Sequence, residues 1–252
     1  MSTGVPVKTT KKSFEVIDQL VALEKASLNE LTETLDMPKG TLHGHLKTLC
    51  ELGMVINDRG TYRPSMRFLN YGTRIRNNNK LFQAARSELN QLSQETGEHA
   101  TLIIEEQGRG VIYYIVEGNH PTKLITRAGI RTYLHTNACG KAILADMSRE
   151  RVEQIIAEQG LPAQTNHTIT DRERLFEELE RVREQGYATN EDEALKGMKA
   201  VGASVQNTED EVIGAVSVFG PARRIDNTRL TTELSQRIRE AANVIEVNYN
   251  YE

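Results

Sequence analysis

Two histidines on one predicted helix, a Cys139-Gly140-Lys141 run and the acidic triplet Glu191-Asp192-Glu193 are the residues of this chain whose types and spacing could do chemistry. His43 and His45 are two positions apart, so their rings diverge on a helix and make a poor metal pair; contact with a base or a phosphate suits that face better. Cys139-Gly140-Lys141 has the outline of a phosphate-binding loop, but His135 stands where that loop needs Gly and Ala142 where it needs Ser or Thr. The phosphate-loop reading therefore fails. Cys139 opens a predicted helix, where a thiol can be activated; it reads either as an unreactive wall thiol or as a redox sensor. His135 precedes the same helix with no orienting carboxylate beside it, so it receives no catalytic role. The three adjacent acids do not converge on one metal and are expected to be solvated or to face a second subunit. No catalytic residue, metal ligand or cofactor site is assigned.

Length and composition bound the rest. A chain of 252 residues, 38% hydrophobic and 26% charged, has room for two ordinary domains and a sizeable core. No apolar run approaches the roughly 18 residues of a membrane span, and the start Met1-Ser2-Thr3-Gly4-Val5-Pro6 lacks the apolar core of a secretory signal. Cys50 and Cys139 form no disulfide framework, so a reducing cytoplasm and no membrane partner are expected. The net charge of -4 is unevenly spread: residues 1–76 carry 11 Lys+Arg against 8 Asp+Glu. A modest basic excess in that segment fits salt-sensitive phosphate contacts rather than avid non-specific binding.

The elements that would position a nucleic-acid contact lie between Leu28 and Tyr62. Phe14, Ile17, Leu20 and Val21 predict a helix over 13–24. Ser27-Leu28-Asn29-Glu30 is a capping box that opens a second helix with Leu28, Leu31 and Leu35 on one face. After the tight Asp36-Met37-Pro38 turn a third helix runs to about Leu52, with Gly53 supplying a left-handed end. Leu42, Leu46 and Leu49, with Cys50 and Leu52 near them, are assigned to its core side. Lys39, Gly40, His43, Gly44 and Lys47 fall on the other side. Met54-Val55-Ile56 and Thr61-Tyr62-Arg63 flank the turn Asn57-Asp58-Arg59-Gly60 and read as a wing. This is the pattern of a winged helix-turn-helix, whose second helix enters a major groove. Arg59 and Arg63 are the wing's candidate phosphate contacts.

Residues 67–72 and 77–79 read as an inter-domain hinge, followed by a helix over about 80–95 with Leu81, Ala85, Leu89 and Leu92 on one stripe. Beyond Gly97 the period changes. Strands are expected over 100–104 and 111–116 with a hairpin signal at Gly108-Arg109-Gly110, near 123–127, and over 187–190, 199–206 and 212–219. Helices are expected over 138–147, 149–159, 172–185 and 229–247. Hairpins with helices between them imply a mixed α/β sensor-like domain.

Several motifs, in order, carry a family resemblance. They are Met37-Pro38-Lys39-Gly40-Thr41-Leu42-His43, Leu46-Lys47-Thr48-Leu49, Leu52-Gly53 and Arg127-Ala128-Gly129. Further along come Leu134-His135-Thr136-Asn137-Ala138-Cys139-Gly140-Lys141-Ala142-Ile143-Leu144-Ala145, Gly186-Tyr187-Ala188, Glu191-Asp192-Glu193, Gly197-Met198 and Ala215-Val216-Ser217-Val218-Phe219-Gly220-Pro221. Over about residues 10–245 the chain resembles the isocitrate lyase regulator (IclR) family of transcription factors. The resemblance implies an α+β protein with a winged helix-turn-helix at 8–72, a linker helix at 73–96 and a GAF-like effector-binding domain at 97–250. It implies a homodimer or homotetramer on double-stranded operator DNA, controlling catabolic genes in response to a small organic effector such as a sugar acid or an aromatic acid.

Carried over by motif position, the DNA contacts would be Lys39, Gly40, Thr41, His43, Gly44, His45, Lys47, Thr48, Arg59 and Arg63. The effector contacts would be Leu124, Ala138, Cys139, Asn190, Ala200, Ser217 and Phe219. Four positions depart from the family's habit. Asn190 stands where an acid is common and Phe219 where a small polar residue occurs, which predicts a bulkier, less charged pocket. Gly40 and Gly44 replace the usual Ser and Arg, which leaves base readout to Thr41, His43, His45 and Lys47.

Overall fold

The computed structural model describes residues 4–119 and 126–251. The strand expected near 123–127 falls largely outside them, and the two residues of it that are described form no strand. The chain divides into two compact units, Met1–Arg76 and Asn77–Glu252.

In the first unit, α1 (Lys8–Leu23), α2 (Leu28–Thr34) and α3 (Lys39–Glu51) surround a core of Val16, Ile17, Leu20, Leu31, Met37, Leu42, Leu46 and Leu49. Fully burying side chains of this kind stabilises by about 1.5–3 kcal/mol each. The apolar face of α1 is not the one its sequence suggested. Phe14 and Val21 are 58% and 52% exposed, because Val16, Ile17 and Leu20 form the inward stripe and 14 and 21, seven apart, share another. The capping box of α2 is complete: Ser27 N–H donates to Glu30 Oε2 at 2.7 Å and Glu30 N–H to Ser27 Oγ at 3.3 Å. These bonds hold the Glu30 carboxyl below the ordinary carboxylate range. Pro38 caps α3 without a side-chain bond, and Gly53 follows it at φ +68°.

The wing is a three-stranded sheet in the order β1 (Ala26–Ser27), β3 (Thr61–Pro64), β2 (Val55–Asp58). Asp58 pairs with Thr61, which leaves a two-residue turn at Arg59 and Gly60, both at positive φ. That geometry matches the twist of the strands it joins, and Asn57 Oδ1 takes the Gly60 N–H at 2.8 Å. The segment read as a hinge is helical: α4 spans Arg67–Asn77. None of its residues is fully buried, so no core stripe marked it in the sequence.

The second unit is built on a six-stranded sheet, every adjacent pair antiparallel, in the order β6 (Arg131–Tyr133), β5 (Arg109–Val116), β4 (His99–Glu106), β9 (Val212–Pro221), β8 (Met198–Gln206), β7 (Ala188–Glu191). The β4–β5 turn sits at Gln107-Gly108, one residue before the expected signal. One face of the sheet packs on α5 (Lys80–Thr96) and α10 (Ser235–Tyr251), through Leu81, Leu89, Leu92, Ile238 and Ile245. Asn227–Arg229 (α9) and a π-helical turn over Leu230–Leu234 lead into α10.

The other face packs on α6 (Ala138–Asp146), α7 (Arg149–Gln159) and α8 (Arg172–Gln185), through Ile143, Leu144, Leu175 and Leu179. Residues Ala138 to Ala145 of α6 are all buried, as expected of a helix that is apolar on nearly every side. Two glycines let it lie so close. A Cβ at Gly140 would come 2.1 Å from the Leu134 carbonyl oxygen, and one at Gly202 would come 3.0 Å from Cys139 N.

Candidate nucleic-acid interface and ligand cavity

On α3 the helical period separates two faces cleanly. Leu42, His45, Leu46 and Leu49 are buried, while Lys39, Gly40, Thr41, His43, Gly44, Lys47 and Thr48 are exposed. His45 is therefore corrected from a base reader to a core residue. It lies three residues after Leu42 and four before Leu49, within the inward stripe, and its Nδ1 is 2.9 Å from Ser13 Oγ of α1.

The exposed face is sparsely furnished. A Cβ built on Gly40 or Gly44 meets nothing within 4 Å, so both positions are bare, one turn apart. Thr48 Oγ1 donates to Gly44 O at 3.0 Å and Lys39 Nζ to Asn29 Oδ1 at 2.9 Å. Among the described residues Lys47 meets Glu51 alone, at 4.0 Å. Thr41, His43 and Lys47 thus remain as the side chains reaching outward. Arg59 at the wing tip and Arg63 on β3 belong to the same unit and are exposed as well.

In the second unit a cavity of about 190 Å³ lies between the sheet and the start of α6. Register explains its walls. Asn190, Ala200 and Phe219 are cross-strand partners in one row, and Ser217 with Thr101 belong to the next row on the same face. Ile103, Ile112 and Ile115 extend the wall across β4 and β5, and Ala138, Asn137, Leu195 and Met198 close it. Five of the expected effector residues, Ala138, Asn190, Ala200, Ser217 and Phe219, line this space. Leu124 lies outside the described residues.

Cys139 does not line the cavity. Its thiol is buried behind it, 3.5 Å from Ala215 O, and burial pushes its pKa up to about 12 against a weaker opposing bond to Ser217. Lys199 is the charged residue among the described lining, and its Nζ is held by Glu191 at 2.7 Å and by Asn227. The polar groups are mostly spent within the protein. Asn190 Nδ2 donates to Thr136 O at 2.5 Å, Thr101 Oγ1 to Tyr114 O at 2.8 Å, and Asn137 Oδ1 accepts the Gly140 N–H at 2.9 Å.

The helix-turn-helix unit and the cavity-bearing unit each match a known model. Residues 9–59 match the IclR helix-turn-helix domain and residues 74–247 the bacterial transcriptional regulator IclR C-terminal domain. The chain belongs to the IclR family. That family is made up of DNA-binding transcriptional regulators that respond to small-molecule effectors, not of enzymes.

Among its IclR relatives, the probable HTH-type transcriptional regulator ArcR of Halobacterium salinarum is 33% identical, over 98% of this chain and 96% of its own. The crystal structure of the Thermotoga maritima IclR superposes with a TM-score of 0.84 at 28% identity, covering 97% of this chain and 99% of that one. An IclR homolog from Microbacterium hydrocarbonoxydans, solved in complex with 4-hydroxybenzoate, shares the fold with a TM-score of 0.79 at 20% identity, over 96% and 98% of the two chains.

Motif reasoning missed part of this cavity's lining. Thr101 and Ile103 alternate along β4, whereas Ile112 and Ile115, three apart on β5, come to the same face only through the register shift opposite Leu102 and Ile103, which the sequence does not show. The acid cluster is also corrected: Glu193 is not solvated but buried, its Oε1 2.7 Å from Lys141 Nζ, which also meets Glu178 at 2.9 Å. Thr168 and Thr165 donate to the Glu193 and Asp192 carbonyls at 2.7 Å each. Together these bonds fix the segment that carries Leu195 against the cavity. A lone lysine inside the apolar run Ala138 to Ala145 was the available signal, since buried charges are paired.

Proposed function

We propose that this protein binds double-stranded operator DNA as a homodimer or homotetramer and changes its DNA affinity when a small organic acid enters the cavity of the second unit. The observation that carries the DNA half is the exposed face of α3, which carries Lys39, Thr41, His43, Lys47 and Thr48 with no apolar side chain among them, set on a helix-turn-helix with a wing. Lys39, Lys47, Arg59 and Arg63 hold phosphates and set the register, while Thr41 and His43 reach base edges. Gly40 and Gly44 offer only backbone, and Thr48 its methyl group. One such unit reads few base pairs, so paired copies on an inverted repeat are expected.

The effector is an aromatic acid rather than a sugar acid. The walls of Ile103, Ile112, Ile115, Leu195, Met198 and Phe219 would leave a sugar's hydroxyls without partners, each a desolvation cost. The 4-hydroxybenzoate of the Microbacterium homolog belongs to the class proposed. Regulation of catabolic genes and a cytoplasmic location complete the reading; no described helix is long and apolar enough to cross a membrane. The alternative, redox sensing through Cys139, is the weaker reading, since its thiol is buried and neutral.

The test is fluorescence anisotropy of a duplex from the gene's own upstream region, across salt concentrations, with and without 4-hydroxybenzoate, benzoate and a panel of sugar acids. Saturable binding that weakens with salt, shifts with an acid and loses about one unit of salt slope in Lys47→Ala supports the proposal. Binding no tighter than to scrambled duplex would sink the operator reading, and indifference to every acid would sink the effector reading.

A further inference from the structure

Across β7, β8 and β9 the cavity is bordered by one row of register partners, Asn190, Ala200 and Phe219. Register partners project from the same face of a sheet. Ala200 is small and stands between two larger side chains, so the row forms a recess one strand wide. With neighbouring strands about 4.8 Å apart, Phe219 and Asn190 rise about 9.5 Å from each other at their backbones. A flat ring lying over Ala200 would have the Phe219 ring on one side and the Asn190 amide on the other.

The orientation of that amide is fixed by one bond. Asn190 is 3% exposed, and its Nδ2 meets Thr136 O at 2.5 Å. A carbonyl oxygen only accepts, so the nitrogen must be the atom on that side. Oδ1 is thereby placed, and it receives no hydrogen bond from any described residue. His99 Nε2 and Glu193 Oε2 are unbonded and shut away from solvent. Asn190 Oδ1 is not shut away, and the open space that Asn190 borders is the cavity. Nδ2 holds a second hydrogen, but Oδ1 can only accept. A volume of about 190 Å³ has room for about six waters at roughly 30 Å³ each, and a ring with one carboxylate takes most of it. Solvent can meet Oδ1 in an open cavity. A ligand that fills the space must meet Oδ1 itself or leave a buried acceptor orphaned.

Resting on the effector-cavity reading above, we propose that Asn190 is a specificity-determining residue that selects acids carrying a second polar group, a hydroxyl or N–H on the ring edge away from Phe219, which donates to Oδ1. The ligand class is a hydroxy- or amino-substituted aromatic acid rather than the bare acid. A carboxylate has only acceptors to offer, so it cannot serve Oδ1. Its place is nearer the Ser217 hydroxyl, in the neighbouring row of the same face. One added donor fits where several do not, because Thr101 and Asn137 already lend their oxygens to Tyr114 O and the Gly140 N–H.

Calorimetric titration of the full chain with benzoate, the hydroxybenzoate isomers and the matching fluorobenzoates tests this, in wild type, Asn190→Leu and Asn190→Asp, together with crystals soaked in the tightest binder. Fluorine is close to a hydroxyl in size and donates nothing. At least one hydroxybenzoate should bind wild type about tenfold or more tighter than both benzoate and its fluoro counterpart, with its hydroxyl within hydrogen-bond distance of Oδ1. Asn190→Leu, similar in volume without the acceptor, should bring that ratio close to one. Asn190→Asp keeps an acceptor and should keep the preference, while binding every acid more weakly because like charges repel. Benzoate or a fluorobenzoate binding wild type as tightly as every hydroxy isomer, a preference that survives in Asn190→Leu, or a bound hydroxyl away from Oδ1 overturns the inference and leaves the cavity reading standing. Should Asn190→Leu not fold, the wild-type series and the soaked crystal decide alone. No binding of any of these compounds by wild type also overturns it, since they represent its ligand class; the wider acid panel then decides whether the cavity reading falls too.

Discussion

Removing the charge of Lys141 should unbalance the second unit more than any surface change. Lys141 is 1% exposed, with Nζ 2.9 Å from Glu178 and 2.7 Å from Glu193. Glu178 keeps another cation when Lys141 is lost, because Arg181 lies 2.6 Å away. Glu193 has Lys141 as its only ion-pair partner among the described residues, and its second oxygen has no hydrogen bond. Lys141→Met keeps most of the stem's volume and strands that carboxylate in the interior. Breaking a buried pair this way costs about 3–5 kcal/mol. At about 2–4 °C per kcal/mol for a domain of this size, the second unit's transition in scanning calorimetry should fall by roughly 6–20 °C while the first unit's stays in place. Lys141→Met combined with Glu193→Leu should recover most of the loss, because apolar residues of similar volume replace a buried pair at little cost.

The pH dependence has a definite sign. Burial, its largest influence, already raises the Glu193 pKa above the ordinary glutamate value. Its contribution is thus fully present below that ordinary value and is lost as pH rises through the folded one. Losing Lys141 raises the folded value further, so the deficit of Lys141→Met should shrink between about pH 7 and pH 5. A single variant within about 1 kcal/mol of wild type, a double variant no better than the single, or a deficit that grows on acidification would refute the reasoning.

Two further substitutions and one chemical probe divide the remaining claims. His43→Ala should weaken or broaden DNA recognition in anisotropy while leaving the melting temperature unchanged. His45→Ala should instead cost about 1–3 kcal/mol in the first unit, by opening a void and leaving Ser13 without its 2.9 Å partner; the reverse pattern would put His45 back on the DNA face. Cys139, its thiol buried and pushed up to about 12, should resist an aromatic disulfide reagent near pH 8 until guanidinium unfolds the chain. Half-buried Cys50 should react first. Fast labelling of Cys139 in the folded protein, read by mass spectrometry, would revive the thiol sensor.

The parts legible in the sequence are those where a residue's own type names its environment. Ser27 and Glu30, which cap α2, and Gly53, which follows α3, satisfy or release backbone groups locally, so those helix bounds could be read directly. A short polar face on a capped helix-turn-helix was equally direct. What stayed hidden depends on a partner far away in the chain. Ile103 and Ile112 read as core because an isoleucine facing a cavity and one facing a leucine have the same sequence signature. Glu193 read as solvated because its partner, Lys141, lies 52 residues earlier. α4 read as a hinge because Asn70 and Gly72 are turn formers and the helix has no inward stripe to outvote them.

His45 is different, and it changes the functional picture. Its place among Leu42, Leu46 and Leu49 follows from the helical period alone; only its polarity drew it to the DNA face. With it turned inward and Gly40 and Gly44 bare, Thr41 and His43 are the side chains on α3 left to read base edges. Phosphate contacts from the lysines and wing arginines would carry affinity but not sequence. If paired copies bind DNA as proposed, discrimination comes mostly from their spacing and from the shape of the DNA between them. An operator whose half-site spacing is changed by a few base pairs should therefore lose more affinity than one with a single base exchanged under α3.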